Sequence, residues 1–501
     1  MKNKQIIMNP NKIVRYLGNP QEEFTKKDLI KFIENNKIEM VNFRYVGGDS
    51  RLKTLNFVIT GKNQLDKLLS RGERVDGSSL FSYIDAGSSD LYVVPRYNTA
   101  YVNPFSIIPT IDILCSFYTN KGVRLPSSPE NIVRKSHEAL KNSTGLSFEA
   151  MGELEYYVFS NKQQIYPVMA QKGYGESSPF SKWEQLRCEA MQAIVQTGGK
   201  IKYGHSEVGN ICEGDREFEQ HEIEFLPVPV EEAANQIVIA KWILRMIGYK
   251  YGVTIAFAPK ILIGHAGSGL HIHTKLVKNG KNMMIEKNKL SDIAKKVIAG
   301  YLKLAPSLTA FGNTIPLSYL RLVSYQEAPT NICWGDENRS ALVRVPLGWV
   351  GINDMVKDIN PLEKGKFLSN NDNQTVEFRC PDGSSDIHLL LAGLIVAARY
   401  GLEMEGALEF ANKLYVDVNI FSSEHTNIQK KLLQLPASCW ESAENLLKDR
   451  EIYQKDGIFP SIAIDGIVKK LKSYNDNNLS KKLYNNKDEV KKLIDKYLYC
   501  A

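Results

Sequence analysis

The stretch Met151–Phe159, MGELEYYVF, decides the fold of the larger part of this chain. Its aromatic and β-favouring residues alternate with a period of two, which predicts a β-strand. Because residues two apart share one face of a strand, Leu154 and Val158 belong to an apolar face. Glu153 and Glu155 stand side by side on the opposite face. Two neighbouring carboxylates repel each other, so this strand predicts a positively charged group between them.

Three later stretches repeat this alternation of apolar and ionisable residues. They are QHEIEFLPV at 220–228, GLHIHTKL at 269–276 and TVEFRCP at 375–381. An antiparallel sheet with one face in solvent explains any one of these strands. Four strands whose polar faces carry Glu, His and Arg, with almost no Lys or Ser, instead predict one cavity lined by all four faces.

Such a cavity would hold a mainly oxygen set of metal ligands. The candidates are Glu153, Glu155, Glu222, Glu377 and a single His, and HSEVG adds Glu207 shortly before Glu222. Carboxylates with one imidazole suit Mg²⁺ or Mn²⁺ and argue against structural zinc. Two neighbouring hard cations would hold the repelling carboxylates, and such a pair neutralises nucleotide phosphates in phosphoryl transfer.

Two arginine-bearing segments follow in the chain. LRLVSYQEAPT contains Arg321 and Glu327, and DENRSALVRVP contains Arg339 and Arg344. Guanidinium groups bind carboxylate and phosphate through two parallel hydrogen bonds, which suits anionic substrates. The alternative for any single arginine is a surface salt bridge.

Composition limits the class of protein. A chain of 501 residues with 43% hydrophobic and 24% charged residues is typical of a folded protein with more than one domain. The start, MKNKQIIMNPNKIV, has no apolar run, and no later window reaches the length of a membrane span, so we expect a cytoplasmic protein without a membrane partner.

Cysteine and charge usage exclude further classes. The seven cysteines show no CxxC and no paired spacing, which argues against a disulfide framework or a zinc knuckle. Much of the net charge of +7 lies between residues 467 and 497, where lysines alternate with acids. This pattern favours a solvated helical face, so we expect no nucleic-acid partner.

The pattern of elements predicts an α+β protein with two domains. Residues 1–121 contain one helical patch, DLIKFIENN, and strand-like runs such as MVNFRYV and LNFVIT. Residues 122–501 begin with a linker and a helix start, in which Ser128 could cap and Pro129 fits the first turn. Residues 351–374 are predicted to be a polar surface insertion between two strands, and about 439–501 a helical segment.

The motifs, taken in order, resemble those of glutamine synthetase, type I, along nearly the whole chain. They include VDGSS, GELEYY, KGY, HSEVG, QHEIEF, GSGLHIH, RLVSYQEAP, NRSALVRVP and EFRCPDG. The resemblance implies a small β-grasp-like amino-terminal domain and a large catalytic α/β domain with a curved antiparallel sheet. It also implies a homo-oligomer, a dodecamer of two hexameric rings, with active sites between subunits.

The resemblance further implies a reaction. ATP would phosphorylate the γ-carboxylate of glutamate, and ammonia would displace phosphate from γ-glutamyl phosphate to give glutamine, ADP and phosphate. Two or more Mg²⁺ or Mn²⁺ ions would assist. One metal would be held by Glu155, Glu207 and Glu222, and the other by Glu153, His271 and Glu377.

By the same resemblance, substrate roles fall on further residues. Asp76 would reach a neighbouring subunit's site and take a proton from bound ammonium, although DGSS alone is also a simple turn. The ammonium pocket would include Ser79, Tyr174 and Glu207, with Asp90 supporting Asp76. Glutamate would be bound by Arg321, Arg379 and the Gly267 carbonyl, and ATP by His273, Arg339 and Arg344. Glu327 would close the glutamate entrance and accept a proton.

Some positions depart from the family pattern and leave alternatives open. Ala266 stands where the family usually has an Asn that contacts glutamate, and SNNDNQTV replaces a usually basic segment near ATP. Tyr415 lies near the family's adenylylation position, but its surroundings favour an ordinary surface tyrosine. The rival functions are a γ-glutamyl-amine or polyamine ligase, a guanidino kinase, and a catalytically silent nitrogen-responsive homologue.

Overall fold

The amino-terminal part of the chain folds around a six-stranded sheet. The structure is a computed structural model that describes residues 6–323, 328–348, 354–365, 373–479, 483 and 486–500. The strands are β1 Met40–Val46, β2 Leu52–Val58, β3 Glu73–Asp76, β4 Asp90–Pro95, β5 Tyr101–Val102 and β6 Thr110–Thr119. The helices are α1 Lys12–Leu17, α2 Lys26–Asn35, α3 Lys62–Arg71 and α4 Gly77–Leu80.

This sheet has the order β2-β1-β6-β4-β3, with β5 beside β6. β1 and β6 are parallel, while the other neighbours are antiparallel. The predicted helical patch is α2, which begins with a capping box between Thr25 and Asp28. The sequence predicted one helix here, and α1, α3 and the four-residue α4 are additional. α1 has only six residues, too few for a clear helical periodicity, and Asn11 caps it.

The rest of the chain forms a larger, ten-stranded sheet and a separate hairpin, β14–β15. The strands of the sheet are β7 Ser147–Asn161, β8 Ile201–Glu213, β9 Arg216–Phe225, β10 Val228–Pro229, β11 Thr254–Ala256, β12 Leu270–Lys278, β13 Lys281–Asn282, β16 Trp334–Asp336, β17 Val343–Val345 and β18 Val376–Phe378. Those of the hairpin are β14 Ile285–Glu286 and β15 Lys289–Leu290. The main order is β16-β17-β18-β12-β7-β9-β8, and every pair along it except β16–β17 is antiparallel. The expected curved antiparallel sheet and α+β class are therefore confirmed.

Long helices cover the apolar face of this sheet. In chain order, the described α-helices of this part are α5 Pro129–Thr144, α6 Glu184–Gln196, α7 Val230–Tyr251, α8 Asp292–Gly312, α9 Ser318–Arg321, α10 Met355–Ile359, α11 Ile387–Glu403, α12 Ala407–Lys413, α13 Thr426–Gln429, α14 Cys439–Lys448, α15 Arg450–Gln454, α16 Ser461–Ser473 and α17 Lys487–Tyr497, and the longest of them are α5, α7, α8 and α11. The apolar residues of MGELEYYVF, such as Leu154 and Val158, are fully buried in the core beneath these helices. α8 and α11 can approach closely because Gly300 has no side chain. A Cβ at this position would lie 1.9 Å from the Ala397 carbonyl oxygen.

One helix start differs from its prediction. Ser128 occupies the position before α5, and Pro129 is the first helical residue as expected. The Ser128 hydroxyl, however, does not cap the helix. It donates instead toward the Leu125 carbonyl at 3.0 Å and Oε1 of the half-buried Glu130 at 2.9 Å, and these two acceptors fix its orientation.

Contacts join the amino-terminal sheet and its β1–β2 turn to the helices α7 and α11. The Arg44 guanidinium pairs with the buried Asp112 at 2.6 Å and lies 4.5 Å from the Trp242 ring centroid. Ser50 donates to Asp386 at 3.1 Å across the same boundary. A division at residue 121 would fall in the segment between β6 and α5, and this domain boundary stays a prediction.

The predicted insertion joins β17 to β18, which are neighbours in the sheet. Of its described residues, 354–365 are almost entirely exposed and contain α10, whereas Gln374 at its end is buried. Residues 351–353 and 366–372 lie outside the described residues. All seven cysteines are free thiols. Among the described residues no single helix is long and apolar enough to cross a membrane. The bent pair α11–α12 passes by length and composition only, and α11 is mostly buried in the core.

Candidate active site

A stripe of ionisable side chains crosses the polar face of the large sheet. Directly opposed residues on adjacent strands share a face, so the strand register alone brings these groups together. The opposed pairs are Arg344–Glu377, Glu377–His273, His271–Glu153, Glu153–Glu224, Glu155–Glu222 and Glu222–His205. The polar faces of the four stretches identified in the sequence therefore meet in one place.

Glu153 lies at the centre of this stripe. Its Oε2 is 2.9 Å from Nδ1 of His271, and its Oε1 is 2.9 Å from Nε2 of His273. Burial alone would raise the pKa of Glu153, but the two imidazoles lower it well below its usual range. Burial lowers the pKa of His273, and the Glu153 charge outweighs it, so the net pKa of His273 is raised. Nδ1 of His273 is also 2.9 Å from the Thr375 hydroxyl.

Glu377 is the carboxylate on which two arginines converge. Arg344 donates to its Oε2 at 3.0 Å, and Nε of Arg379 donates to its Oε1 at 2.9 Å. Glu377 is 1% exposed, and burial together with Glu153 would raise its pKa. Arg379 and the histidines overcome these effects, and the pKa is lowered. The carboxylate is thus charged and oriented before any substrate arrives.

The opposite end of the stripe carries excess negative charge. Burial raises the pKa of Glu222 well above its usual range, and Glu153, Glu155, Glu207 and Glu224 raise it further. A buried carboxylate surrounded by four others is stabilised when a cation binds among them. This unbalanced charge, together with the oxygen-rich donor set, fits Mg²⁺ or Mn²⁺.

Three groups of side chains could each hold a cation, because their ligand atoms all lie within 4.8 Å of one another. They are Glu153 with His273 and Glu377, His205 with Glu207 and Glu222, and Glu153 with Glu222 and Glu224. All of the expected carboxylates except Glu155 recur in these groups. Glu155 and His271 lie within the same stripe, at 3.9 Å from each other.

Sequence reasoning missed His205 and Glu224 as candidate ligands. His205 is 3.5 Å from Glu222 and 3.8 Å from Glu207. It lies two residues before Glu207 and Glu224 two after Glu222, so extending the period-two pattern could have found both. Oε1 of Glu224 is paired with Lys202 at 2.6 Å, and its buried Oε2 accepts no hydrogen bond from any residue that the structure describes.

The groups predicted to bind glutamate, Arg321 and Gly267, and Arg339, predicted to contact ATP, lie outside the stripe itself. Nη1 of Arg321 donates to the Cys380 carbonyl at 2.8 Å, and its Nη2 is 3.5 Å from Nε2 of His271. Arg339 is exposed and lines an open cavity of about 870 Å³ together with His265 and Ala266. The Gly267 carbonyl accepts a hydrogen bond from Gln220, a residue that sequence reasoning also missed.

The predicted ammonium-site residues are divided between the two sheets. Asp76 caps α4, where its carboxylate accepts from Ser78 and Ser79, and these hydrogen bonds lower its pKa. Asp90 lies opposite Asp76 on the neighbouring strand. Tyr174 is instead on the large domain, with its ring 5.2 Å from that of His205. No contact among the described residues of this chain joins Asp76 to the stripe.

Two remaining positions have separate outcomes. Glu327 lies outside the described residues. Tyr415 is 41% exposed, and its hydroxyl donates to Asp336 at 3.4 Å, so the predicted surface position is confirmed.

Fold and site together define an α+β protein with a carboxylate-lined antiparallel sheet. Residues 37–120 match the family model of the glutamine synthetase β-grasp domain, and residues 126–486 match that of the glutamine synthetase catalytic domain. The chain therefore belongs to the glutamine synthetase family. The family consists of ATP-dependent ligases that use divalent metals.

Individual proteins agree with this assignment. Over 442 residues the chain is 28% identical to glutamine synthetase of Clostridium saccharobutylicum, covering 86% of this chain and 91% of that one. Over 478 residues it is 29% identical to glutamine synthetase of Nostoc sp., and the match covers 87% of this chain and 92% of that one.

Solved structures share the fold. The cryo-EM structure of Plasmodium falciparum glutamine synthetase is similar at a TM-score of 0.74 and 21% identity, over 93% of this chain and 99% of that one. A GmaS/ADP complex is similar at a TM-score of 0.71 and 16% identity, over 92% of this chain and 99% of that one.

Proposed function

We propose that this protein joins ammonia to the γ-carboxylate of L-glutamate at the expense of ATP, which gives L-glutamine, ADP and phosphate. The observation that carries the proposal is the stripe itself. It combines five buried or half-buried carboxylates, which call for divalent cations, with arginines placed beside them for anionic substrates. A site of this composition suits the transfer of a phosphoryl group to a carboxylate.

The proposed metal ligands are those of the stripe. Glu155, Glu207 and Glu222 would hold one cation, and Glu153, His271 and Glu377 the other. When bound, the cations would neutralise the carboxylates and the phosphates of ATP.

The proposed substrate contacts follow from the charges that face the stripe. Arg344 and Arg379 are already oriented by Glu377, so they can meet the transferring phosphoryl group and a glutamate carboxylate without first being ordered. Arg321 and the Gly267 carbonyl would complete the glutamate site. Arg339, at the open cavity, would join Arg344 at the phosphoryl group, and His273 would contact ATP.

Ammonium must lose a proton before it can act as a nucleophile. In the proposal Asp76, supported by Asp90, accepts that proton, while Ser79, Tyr174 and Glu207 surround the cation. The lowered pKa of Asp76 keeps its carboxylate ionised and able to attract ammonium. Glu327 would close the glutamate entrance. Because Asp76 and the stripe are not in contact within one chain, the proposal includes a ring-shaped oligomer in which a neighbour supplies Asp76.

The decisive experiment incubates the purified protein with glutamate, ATP and Mg²⁺, with ammonium or a panel of amines, and measures phosphate and amide product together. Glutamine that depends on ammonium is expected. Glu222→Gln should abolish it, because this substitution removes a carboxylate ligand from the most acidic end of the stripe. Glu213→Gln, at the exposed end of the neighbouring strand β8, is the matched control.

Two other results would replace the proposal. Amide formed only with an amine would identify a γ-glutamyl-amine ligase, for which Ala266, in the loop beside the open cavity, leaves more room than the family's usual Asn. No turnover with any acceptor, from protein that still binds ATP and Mn²⁺, would identify a catalytically silent homologue.

A further inference from the structure

Gln220 is a buried amide that lies between the metal ligands and the substrate loop. It is on β9, two residues before Glu222 and on the same face, and is 1% exposed. Its Nε2 lies 3.2 Å from Oε2 of Glu155 and 2.9 Å from the Gly267 carbonyl oxygen. Its Oε1 accepts from the Gly209 N–H at 3.0 Å, so both ends of the amide are occupied.

The loop that carries Gly267 is held at its neighbouring backbone groups as well. The Tyr157 hydroxyl donates to the Ala266 carbonyl at 2.9 Å, and the Ala266 N–H donates to Gln171 at 2.8 Å. At the end of the loop, the Gly269 N–H donates to Oε2 of Glu155 at 2.7 Å. The oxygen of Glu155 that meets Gln220 therefore also meets the loop.

A glycine makes room for this arrangement. A Cβ on Gly209 would lie 2.1 Å from the Tyr157 hydroxyl and 2.3 Å from Oε1 of Gln220. Only a residue without a side chain lets the tyrosine and the amide lie side by side at this point of β8.

We propose that Gln220 is a positioning residue that couples the metal-binding carboxylate Glu155 to the glutamate-binding loop at Gly267. The proposal rests on the proposed function, which assigns the metal and glutamate roles to these two groups. An amide suits the position because it donates two hydrogens toward two acceptors and accepts from a backbone N–H at its other end. The binding of a cation at Glu155 and the binding of glutamate at Gly267 would each depend on the orientation of this amide.

Two substitutions of similar size remove the donors in different ways. Gln220→Met removes the donor to the Gly267 oxygen and leaves Oε2 of Glu155 with the Gly269 N–H but without the amide. Gln220→Glu keeps the acceptor for Gly209 but places a second carboxylate against Glu155, so it should be the more harmful of the two. Gln236→Met is the matched control, since Gln236 is also buried but accepts from the Lys200 N–H on the other side of the sheet.

The first readout is Mn²⁺ binding, measured by electron paramagnetic resonance without substrates. Gln220→Met should weaken it about tenfold, as loss of a group that orients a metal ligand usually does. The second readout is equilibrium binding of L-glutamate at saturating Mn²⁺, together with KM values. The KM for glutamate should rise about tenfold while that for ATP changes little.

Tyr157→Phe tests glutamate binding at the loop separately from Mn²⁺ binding at Glu155. It also provides a test of the proposal if the Gln220 variants do not fold. It releases the loop at Ala266 but leaves Gln220 on Glu155, so glutamate binding should weaken while Mn²⁺ binding stays at the wild-type value. Equal loss of Mn²⁺ binding in Tyr157→Phe would overturn the proposal, as would wild-type binding of both ligands by Gln220→Met. A wild-type protein that binds neither ligand would instead contradict the proposed function.

Discussion

At the scale of single residues, Glu377 is the group whose loss has the clearest energetic consequence. Glu377→Gln would leave Arg379, which is 4% exposed, and the largely buried Arg344 without their counter-charge. We expect a loss of about 3 kcal/mol in the free energy of unfolding, measured by denaturant titration, because an uncompensated buried charge is costly.

A surface carboxylate provides the matched comparison for this substitution. Glu403 also lies between two cations, Arg399 at 2.8 Å and Lys455 at 2.7 Å, but in contact with solvent. Glu403→Gln should cost less than about 1 kcal/mol. Equal losses in the two variants would contradict the view that burial makes Glu377 critical.

Asp76 allows a separation of stability from chemistry. Asn and Asp cap helices about equally well, so Asp76→Asn should leave the free energy of unfolding nearly unchanged. An amide cannot accept a proton as the carboxylate does, so kcat/KM for ammonium should fall about 100-fold or more. Asp85→Asn, at a neighbouring cap, should leave glutamine formation unchanged. Full activity of Asp76→Asn would remove Asp76 from the proposed chemistry.

The stripe was largely predictable at this scale, because a period of two is a local property that fixes which side chains share a face. Glu153, Glu155, Glu222 and Glu377 follow from it. Gln220 did not follow, since an uncharged amide gives no electrostatic signal until its partners across the strand and in the loop are known. The partners of Arg321 are main-chain carbonyls, which no sequence pattern identifies.

At the scale of elements, the second residue of helix α11 is a buried histidine that makes the stability of the fold depend on pH. His388 is 3% exposed, and burial followed by the nearby Arg96 lowers its pKa to about 3 from the ordinary 6.5. The folded protein keeps this side chain neutral at pH values where the unfolded chain protonates it. Stability is therefore lost as the pH falls below about 6.5.

Replacing this histidine should flatten the pH dependence. Between pH 6.5 and 5.5 we expect the free energy of unfolding of the wild type to fall by about 1 kcal/mol more than that of His388→Gln. Denaturant titrations at the two pH values measure the difference. His425→Gln, at a partly exposed histidine, should follow the wild type. A wild-type curve parallel to that of His388→Gln would show that His388 does not carry this dependence.

Element types were more predictable than element ends. The long helices α7 and α11 and the strands around the stripe follow from periodicity. Short α1 lacks a periodic signal. The hydroxyl of Ser128 before α5 is directed to Glu130, whose carboxylate is in turn held by the Phe117 N–H of β6 at 3.0 Å, a tertiary contact that periodicity does not encode.

At the scale of the whole molecule, the separation of Asp76 from the stripe leads to a test of the proposed ring. Asp76→Asn and Glu222→Gln chains should each be inactive alone. In mixed oligomers, an Asp76 from one chain can meet an intact stripe of another, and about a quarter of the sites should regain activity at equal mixing. Co-expression followed by a glutamine assay measures this. Mixtures as inactive as their components would indicate that each chain relies on its own Asp76.

The order of the strands along the chain also bears on biosynthesis. β12 is complete at residue 278, but β18, which lies against it and carries Glu377, is not made until residue 376. During synthesis, most carboxylates of the stripe therefore leave the ribosome well before Glu377 and before the arginines that neutralise them. Such late, long-range pairing is slow to form and leaves a strand edge open to other chains meanwhile. Newly made protein should accordingly depend on chaperones, and on the supply of divalent cations, until β18 has joined the sheet.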